Sequence, residues 1–143
     1  MTANQDQVDF WNGRMGHEWV VLQERMDANL SAIHQVLMPF AAPRAGEAVL
    51  DIGCGTGTTS MALADAVGPY GRVTGLDVSR ERLGLAMLRG QGRANLDFEE
   101  SDASQAAFQP EYDLLFSRFG VMFFDDPAAG FANMRKAAKP GGR

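Results

Sequence analysis

Cysteine is nearly absent from these 143 residues, with Cys54 standing alone. One thiol cannot close an internal disulfide, which fits a reducing cytoplasm. The opening MTANQDQVDF is polar and acidic and lacks the basic-then-apolar order of a secretion signal. No unbroken apolar run approaches the ~20 residues that a bilayer span needs, so no membrane partner is expected. Basic residues are outnumbered, 13 Lys and Arg against 18 Asp and Glu, for a net charge of −5. That weighs against a nucleic-acid partner, because phosphate binding calls for a basic face. The two histidines and the cysteine form no group with ligand spacing, so no metal is expected. Repeats and low-complexity tracts are also lacking. What remains is a soluble cytoplasmic domain, 45% hydrophobic and 22% charged, ordinary values for a globular chain.

The apolar residues that are present fall into two patterns. In residues 1–46, Trp19, Leu22, Met26, Leu30, Ile33 and Leu37 recur at helical steps, and Pro39 and Pro43 are expected to end that helix. Gly13 and Gly16 weaken helix formation ahead of it, although Trp11, Met15 and Trp19 also step by four. Residues 47–143 alternate strands with helices. AVLDIG, RVTGLDV (72–78), LDFEESDA (96–103) and YDLLFSRF (112–119) read as strands. TTSMALADAV, SRERLGLAMLRG and DPAAGFANMRKAAK (126–139) read as helices, with Ser79 as an N-cap and Pro127 in a first turn. Such alternation implies an α/β fold, a Rossmann-like doubly wound and mostly parallel sheet behind an N-terminal helical segment. The closing KPGGR should turn into another strand, and none follows, so the fold is expected to be incomplete at its C-terminal end.

VLDIGCGTGTTS carries the chemistry. An apolar strand runs into Asp51 and then into Gly53, Gly55 and Gly57. Bare backbone there can approach a ligand closely, and N–H groups opening the next helix can hold an anion. A dinucleotide fingerprint needs G-x-G-x-x-G, and either register puts Thr58 or Ser60 at the last glycine. Asp77 lies twenty residues past Gly57 at a strand end, where it could accept from two ribose hydroxyls.

The run DIGCGTG, with Asp77, Asp102 and KPGG following in order, resembles class I S-adenosylmethionine-dependent methyltransferases of the small-molecule type. The resemblance covers residues 48–143 and implies S-adenosyl-L-methionine as cofactor and S-adenosyl-L-homocysteine as product. It implies strand order 3-2-1-4 with the crevice between the first and fourth strands. It also implies contacts from Asp51, Gly53, Cys54, Gly55 and Gly57. Asp77 and Val78 would face the ribose, and Asp102 and Ala103 the adenine. FWNGRMGHEW resembles, more loosely, an N-terminal segment that folds over the cofactor, which makes 1–46 a lid and 47–143 the binding domain.

Other readings stay open beside these. Asp51 could cap its turn, and Asp113 stands at the far end of its strand, where a structural role is expected. Arg14 could pair with the cofactor carboxylate, and Arg118, which interrupts an apolar run, could touch cofactor or acceptor. His17 is a possible base near the lid, but no catalytic residue is assigned. The edge of the fourth strand, with Leu114 to Phe116, Phe119 and Val121 to Phe124, is expected to pair with another copy in a homodimer or larger assembly. The expected reaction is methyl transfer to a small-molecule acceptor. The alternatives are a non-catalytic cofactor-binding or assembly fragment, and a NAD-type oxidoreductase.

Overall fold

The computed structural model describes residues 4–143. Four parallel strands form one sheet in the order β3-β2-β1-β4, namely β1 Ala48–Ile52, β2 Arg72–Asp77, β3 Leu96–Glu100 and β4 Leu114–Phe116. The expected Rossmann-like order is therefore present, and every strand pair is parallel. The first three residues of the lid segment, and of the polar opening, lie outside the described residues.

Period-two alternation along β1 sends its neighbours into two cores. Leu50 and Ile52 join Leu76, Tyr112 and Met134 on the face covered by α6 (Pro127–Arg135). Val49 joins Leu63, Val67, Val73 and Leu114 on the other face, under α4 (Thr58–Val67). Both faces are thus covered, which is why all five residues of β1 are buried. Leu37, Met38 and Ala41 extend the second core into α3 (Gln23–Ala41), so the N-terminal segment is packed onto the domain.

Several expectations about elements change. The periodic run from Trp19 to Leu37 is two helices, because α2 (Arg14–Val21) ends at Leu22 before α3 begins. Pro39 does not end α3, which continues to Ala41 and stops at a left-handed Ala42. Proline so near a helix end forfeits one backbone bond where the ladder is already finishing. Gly13 separates α1 (Gln5–Asn12) from α2, and Gly16 sits inside α2 because a Cβ there would reach 2.0 Å from the Trp11 carbonyl oxygen. The third and fourth strands are also shorter than expected. After Phe116 the Ser117 hydroxyl donates to the Ile52 carbonyl at 2.8 Å, and Phe119 takes a left-handed φ of 67°. The chain then enters a 3₁₀ turn, Gly120–Phe123. Val121 to Phe124 are therefore not an edge strand.

The edge of β4 is partly covered as well. Arg143 N–H donates to the Asp113 carbonyl, and Leu115 N–H donates to the Arg143 carbonyl at 2.8 Å. Residues after α6 thus begin to run beside β4. Asp113 is structural, as expected. Its carboxylate accepts from Ala48 N–H at 2.8 Å and from Lys139 Nζ at 3.0 Å, and these bonds hold it below the usual carboxylate range.

Candidate functional site

Winding reverses between β1 and β4, since the chain builds outward from β1 to β3 and then returns to the other side. Ligand crevices form at such a reversal, beyond the carboxyl ends of the strands. A cavity of about 310 Å³ lies there. Its floor is Ile52 through Thr56, one wall is Leu76 to Val78, and another is Ser101 to Ala103. Arg118 to Gly120 close the side beneath β4, and Trp11 and Trp19 of the lid cover the top.

The glycines divide their tasks. Gly53 and Gly55 have φ of 70° and 56° and line the cavity. A Cβ on Gly53 would stand 2.6 Å from the Gly120 Cα, and one on Gly55 would stand 2.2 Å from an Arg82 nitrogen. Gly57 does not line the cavity. It is the N-cap of α4 at φ 87°, and a Cβ there would meet Ala86 and Phe98 at 3.0 and 3.1 Å. Its lack of a side chain serves helix–sheet packing.

Asp51 lies beneath the loop and is fully buried, outside the cavity lining. Its Oδ2 accepts from the Thr59 and Ser60 hydroxyls, each at 2.6 Å, while Oδ1 has no partner. Burial pushes its carboxyl up to about 6, against the pull of the two hydroxyls. Asp77 is held by backbone. Gly55 N–H donates to Oδ2 at 2.7 Å and Ser79 N–H to Oδ1 at 2.9 Å. Each oxygen keeps a lone pair for a further donor. Asp102 Oδ1 accepts from Ser104 N–H, and Oδ2 from Asn4 and Gln105 side chains. Val78, Asp102 and Ala103 line the cavity as expected. Cys54 lines it too, but burial, with Asp51 and Asp77 nearby, pushes its thiol well above the usual range. Such a thiol is a packing group, not a nucleophile.

Two expectations fail on geometry. Arg14 lies on the outer face of α2, paired with Glu18 one turn on, and does not reach the cavity. His17 is also outside, its Nδ1 2.6 Å from Glu81. The helical step that carries Trp19 inward carries both of these outward.

Arg82 is a charged lining residue that sequence reasoning missed. Its guanidinium lies 4.6 Å from the Trp11 ring centroid and 5.2 Å from that of Trp19, with Nη1 3.6 Å from Asp77. The signal was its place one turn into the helix that follows Asp77. Asn12 was missed too. Its side chain donates to the Val78 carbonyl at 2.7 Å and accepts from Arg80 N–H at 3.1 Å. The N-terminal segment thus caps α5 (Arg80–Gly90) from outside, and Ser79, expected as the cap, leaves its buried Oγ without a partner. Asp27 of α3 completes the attachment, with Oδ2 2.9 Å from Arg89 Nη2 and Oδ1 2.7 Å from the Thr58 hydroxyl. Among the described residues no group of His, Cys, Asp and Glu could hold a metal ion, and no helix is long and apolar enough to cross a membrane.

Residues 49–142 match the family model described as a methyltransferase domain. The chain belongs to this family. A demethylmenaquinone methyltransferase of Staphylococcus aureus is 34% identical over 100 residues, which are 69% of this chain and 42% of that protein. This methyltransferase domain therefore spans less than half the length of that curated relative. An S-adenosylmethionine-dependent methyltransferase from Aquifex aeolicus superposes with a TM-score of 0.67 at 26% identity, over 75% of this chain and 58% of that one. A Haemonchus contortus N-methyltransferase solved with S-adenosylhomocysteine does so with a TM-score of 0.67 at 28% identity, over 76% of this chain and 26% of that one.

Proposed function

We propose that this methyltransferase domain binds S-adenosylmethionine and serves methyl transfer to a small-molecule acceptor. One observation carries the reading. Asp77 and Asp102, just at and past the carboxyl ends of β2 and β3, line a cavity at the winding reversal together with the free backbone of the glycine loop after β1. The residues fit the cofactor group by group. Asp51, buried beneath the loop with Oδ1 unpartnered, lends negative charge to the floor of the cavity, which suits the ammonium of the methionine moiety above it. The N–H groups that open α4 have no acceptor within the helix and suit the carboxylate. Asp77 has acceptor capacity for ribose hydroxyls. Asp102 and the backbone of Ala103 suit the adenine edge.

Bound there, the cofactor would supply an electrophilic methyl carbon. The chain's own part is placement. The glycine loop holds the group, and Trp11, Trp19 and Phe123, stacked edge to face at 6.1 and 5.4 Å, exclude water above it. The described lining residues include no histidine and the Cys54 thiol stays protonated, so the part assigned to this lining is alignment of the reacting groups. The net charge of −5 and the small lidded cavity support a small-molecule acceptor over nucleic acid or a membrane surface, and the single cysteine supports a cytoplasmic location. Pairing of two copies along the outer edge of β4 beyond Leu115 belongs to the same reading.

Calorimetric titration with S-adenosylhomocysteine, with NAD as control, tests it. The homocysteine compound should bind and NAD should not. Asp77→Ala should lose about tenfold or more in affinity, the worth of a hydrogen bond to a charged group. Binding of NAD in place of the homocysteine compound would overturn the reading in favour of a dinucleotide enzyme.

A further inference from the structure

Arg118 and Arg82 are the two cations among the described lining residues, and they differ in one respect. Arg82 is engaged by Asp77 and by both lid tryptophans. Arg118 makes no hydrogen bond, ion pair or ring contact with any described residue. The two carboxylates whose charge it feels, Asp27 and Asp51, are already claimed by other groups. Asp27 is taken by Arg89, Thr58 and Gln23, and Asp51 Oδ2 by Thr59 and Ser60, while the buried Asp51 Oδ1 makes no bond to Arg118.

The backbone fixes Arg118 where it is. The Ser117 hydroxyl ties the chain to the Ile52 carbonyl on one side. On the other side Phe119 is held at φ 67°, and Gly120 packs against Gly53 so closely that a Cβ on Gly120 would reach 2.7 Å from the Gly53 Cα. A left-handed non-glycine residue costs about 1 kcal/mol or more, and it persists where its surroundings over-determine it. The lining that holds Arg118 also holds Asp27 of α3 and a set of apolar side chains. Leu30, Phe119, Met122, Phe123 and Phe124 form that side of the cavity, and Phe119 and Met122 remain 49% and 66% exposed. An apolar wall with a rigidly placed, unpaired guanidinium is a receptor for one kind of molecule.

We propose that Arg118 binds the anionic group of the methyl acceptor, and that the acceptor is an apolar acid, an alkyl or aryl body carrying a carboxylate. The proposal rests on the methyltransferase reading and deepens it. The cofactor's own carboxylate has a separate place at the N–H groups opening α4, which leaves Arg118 for the second substrate. A guanidinium takes a carboxylate through two parallel hydrogen bonds, so it fixes orientation as well as affinity. Burial holds the Arg118 guanidinium below its ordinary value, with Arg82 adding to that, and a bound anion would relieve both effects.

The test uses phenylacetate and its neutral counterpart phenylacetamide, titrated by ligand-observed NMR into the full chain with and without S-adenosylhomocysteine. The acid should bind about tenfold more tightly than the amide. Arg118→Met should erase that preference, Arg118→Lys should restore part of it, and the loss for the acid should exceed any loss for S-adenosylhomocysteine. Equal binding of acid and amide, or no binding of the acid at millimolar concentration, overturns the proposal. A loss of S-adenosylhomocysteine affinity in Arg118→Met as large as the loss for the acid also overturns it, by assigning Arg118 to the cofactor. If the wild type prefers the acid but does not bind S-adenosylhomocysteine, the methyltransferase reading falls and the anion site stands.

Discussion

Asp51 shows how one residue can oppose stability while serving a site. Its carboxyl is pushed up to about 6 by burial, so the folded state holds this proton more tightly than the unfolded chain does. Stability from this group is therefore greatest at low pH. It falls as pH rises from the ordinary value near 3.8 to about 6, and a penalty on the order of 3 kcal/mol is in place at neutral pH. Asp51→Asn keeps an oxygen for Thr59 and Ser60 but removes the charge. The variant should be more stable than wild type at pH 7.5 in thermal melts, with the gain shrinking toward pH 4. Ligand affinity should move the other way. The unpartnered Oδ1 attracts a cation only when ionised, so S-adenosylhomocysteine binding should weaken as pH falls below about 6, and Asp51→Asn should flatten that profile. A gain in stability at pH 4 equal to that at pH 7.5 would show that charge is not the cause.

Elements meet in this fold through close backbone approaches and through the lid. Gly120 lies against the end of β1, where a Cβ would stand 2.5 Å from the Ile52 carbonyl oxygen. Neither neighbour is a flexible side-chain end, so Gly120→Ala should cost about 1–3 kcal/mol, and chemical denaturation measures it. The same substitution at Gly84, where a Cβ would meet nothing within 4 Å, should stabilise α5 slightly or leave it unchanged. Arg82 and Asn12 are two of the groups that hold helices α1 and α2 to the domain. A cation over an indole contributes about 0.5–2 kcal/mol, and here one cation serves two indoles. Arg82→Ala should shift tryptophan emission to the red and speed proteolysis within residues 4–22, while the sheet stays folded by circular dichroism. Unchanged emission would mean that the lid is held without Arg82.

Across the whole molecule, stability should be graded from the centre of the sheet outward. β1 pairs on both sides, with β2 and β4, and carries fully buried Val49 and Asp51. β4 is three residues long with one strand neighbour. Amide exchange should be slowest in β1 and β2 and fastest in β4 and α6, because local opening there breaks fewer buried contacts. The proposed association would use the same edge. Light scattering should give a mass above that of one chain if the copies pair along this edge. A monomer at all concentrations tested would rule that assembly out.

The resemblance to a methyltransferase family implied the strand order, while the sequence by itself determined the strand–helix alternation and the acids at the strand ends. These follow from local patterning, where apolar runs, turn residues and loop glycines act within a few positions of one another. Asp77, Asp102 and the Gly53–Gly55 pair could be placed at one crevice because a doubly wound sheet brings successive strand ends together. The tertiary structure alone decided which way long side chains pointed. Arg14 and Arg118 are both isolated cations in the sequence, yet one pairs outward with Glu18 and the other faces an apolar wall. Arg82 between two indoles, Asn12 capping a helix sixty-eight residues away, and Gly57 packing a helix rather than a ligand are all contacts between distant segments. No local pattern encodes them, because a side chain's partner is set by the packing of elements, and that packing exists only once both sheet faces are covered.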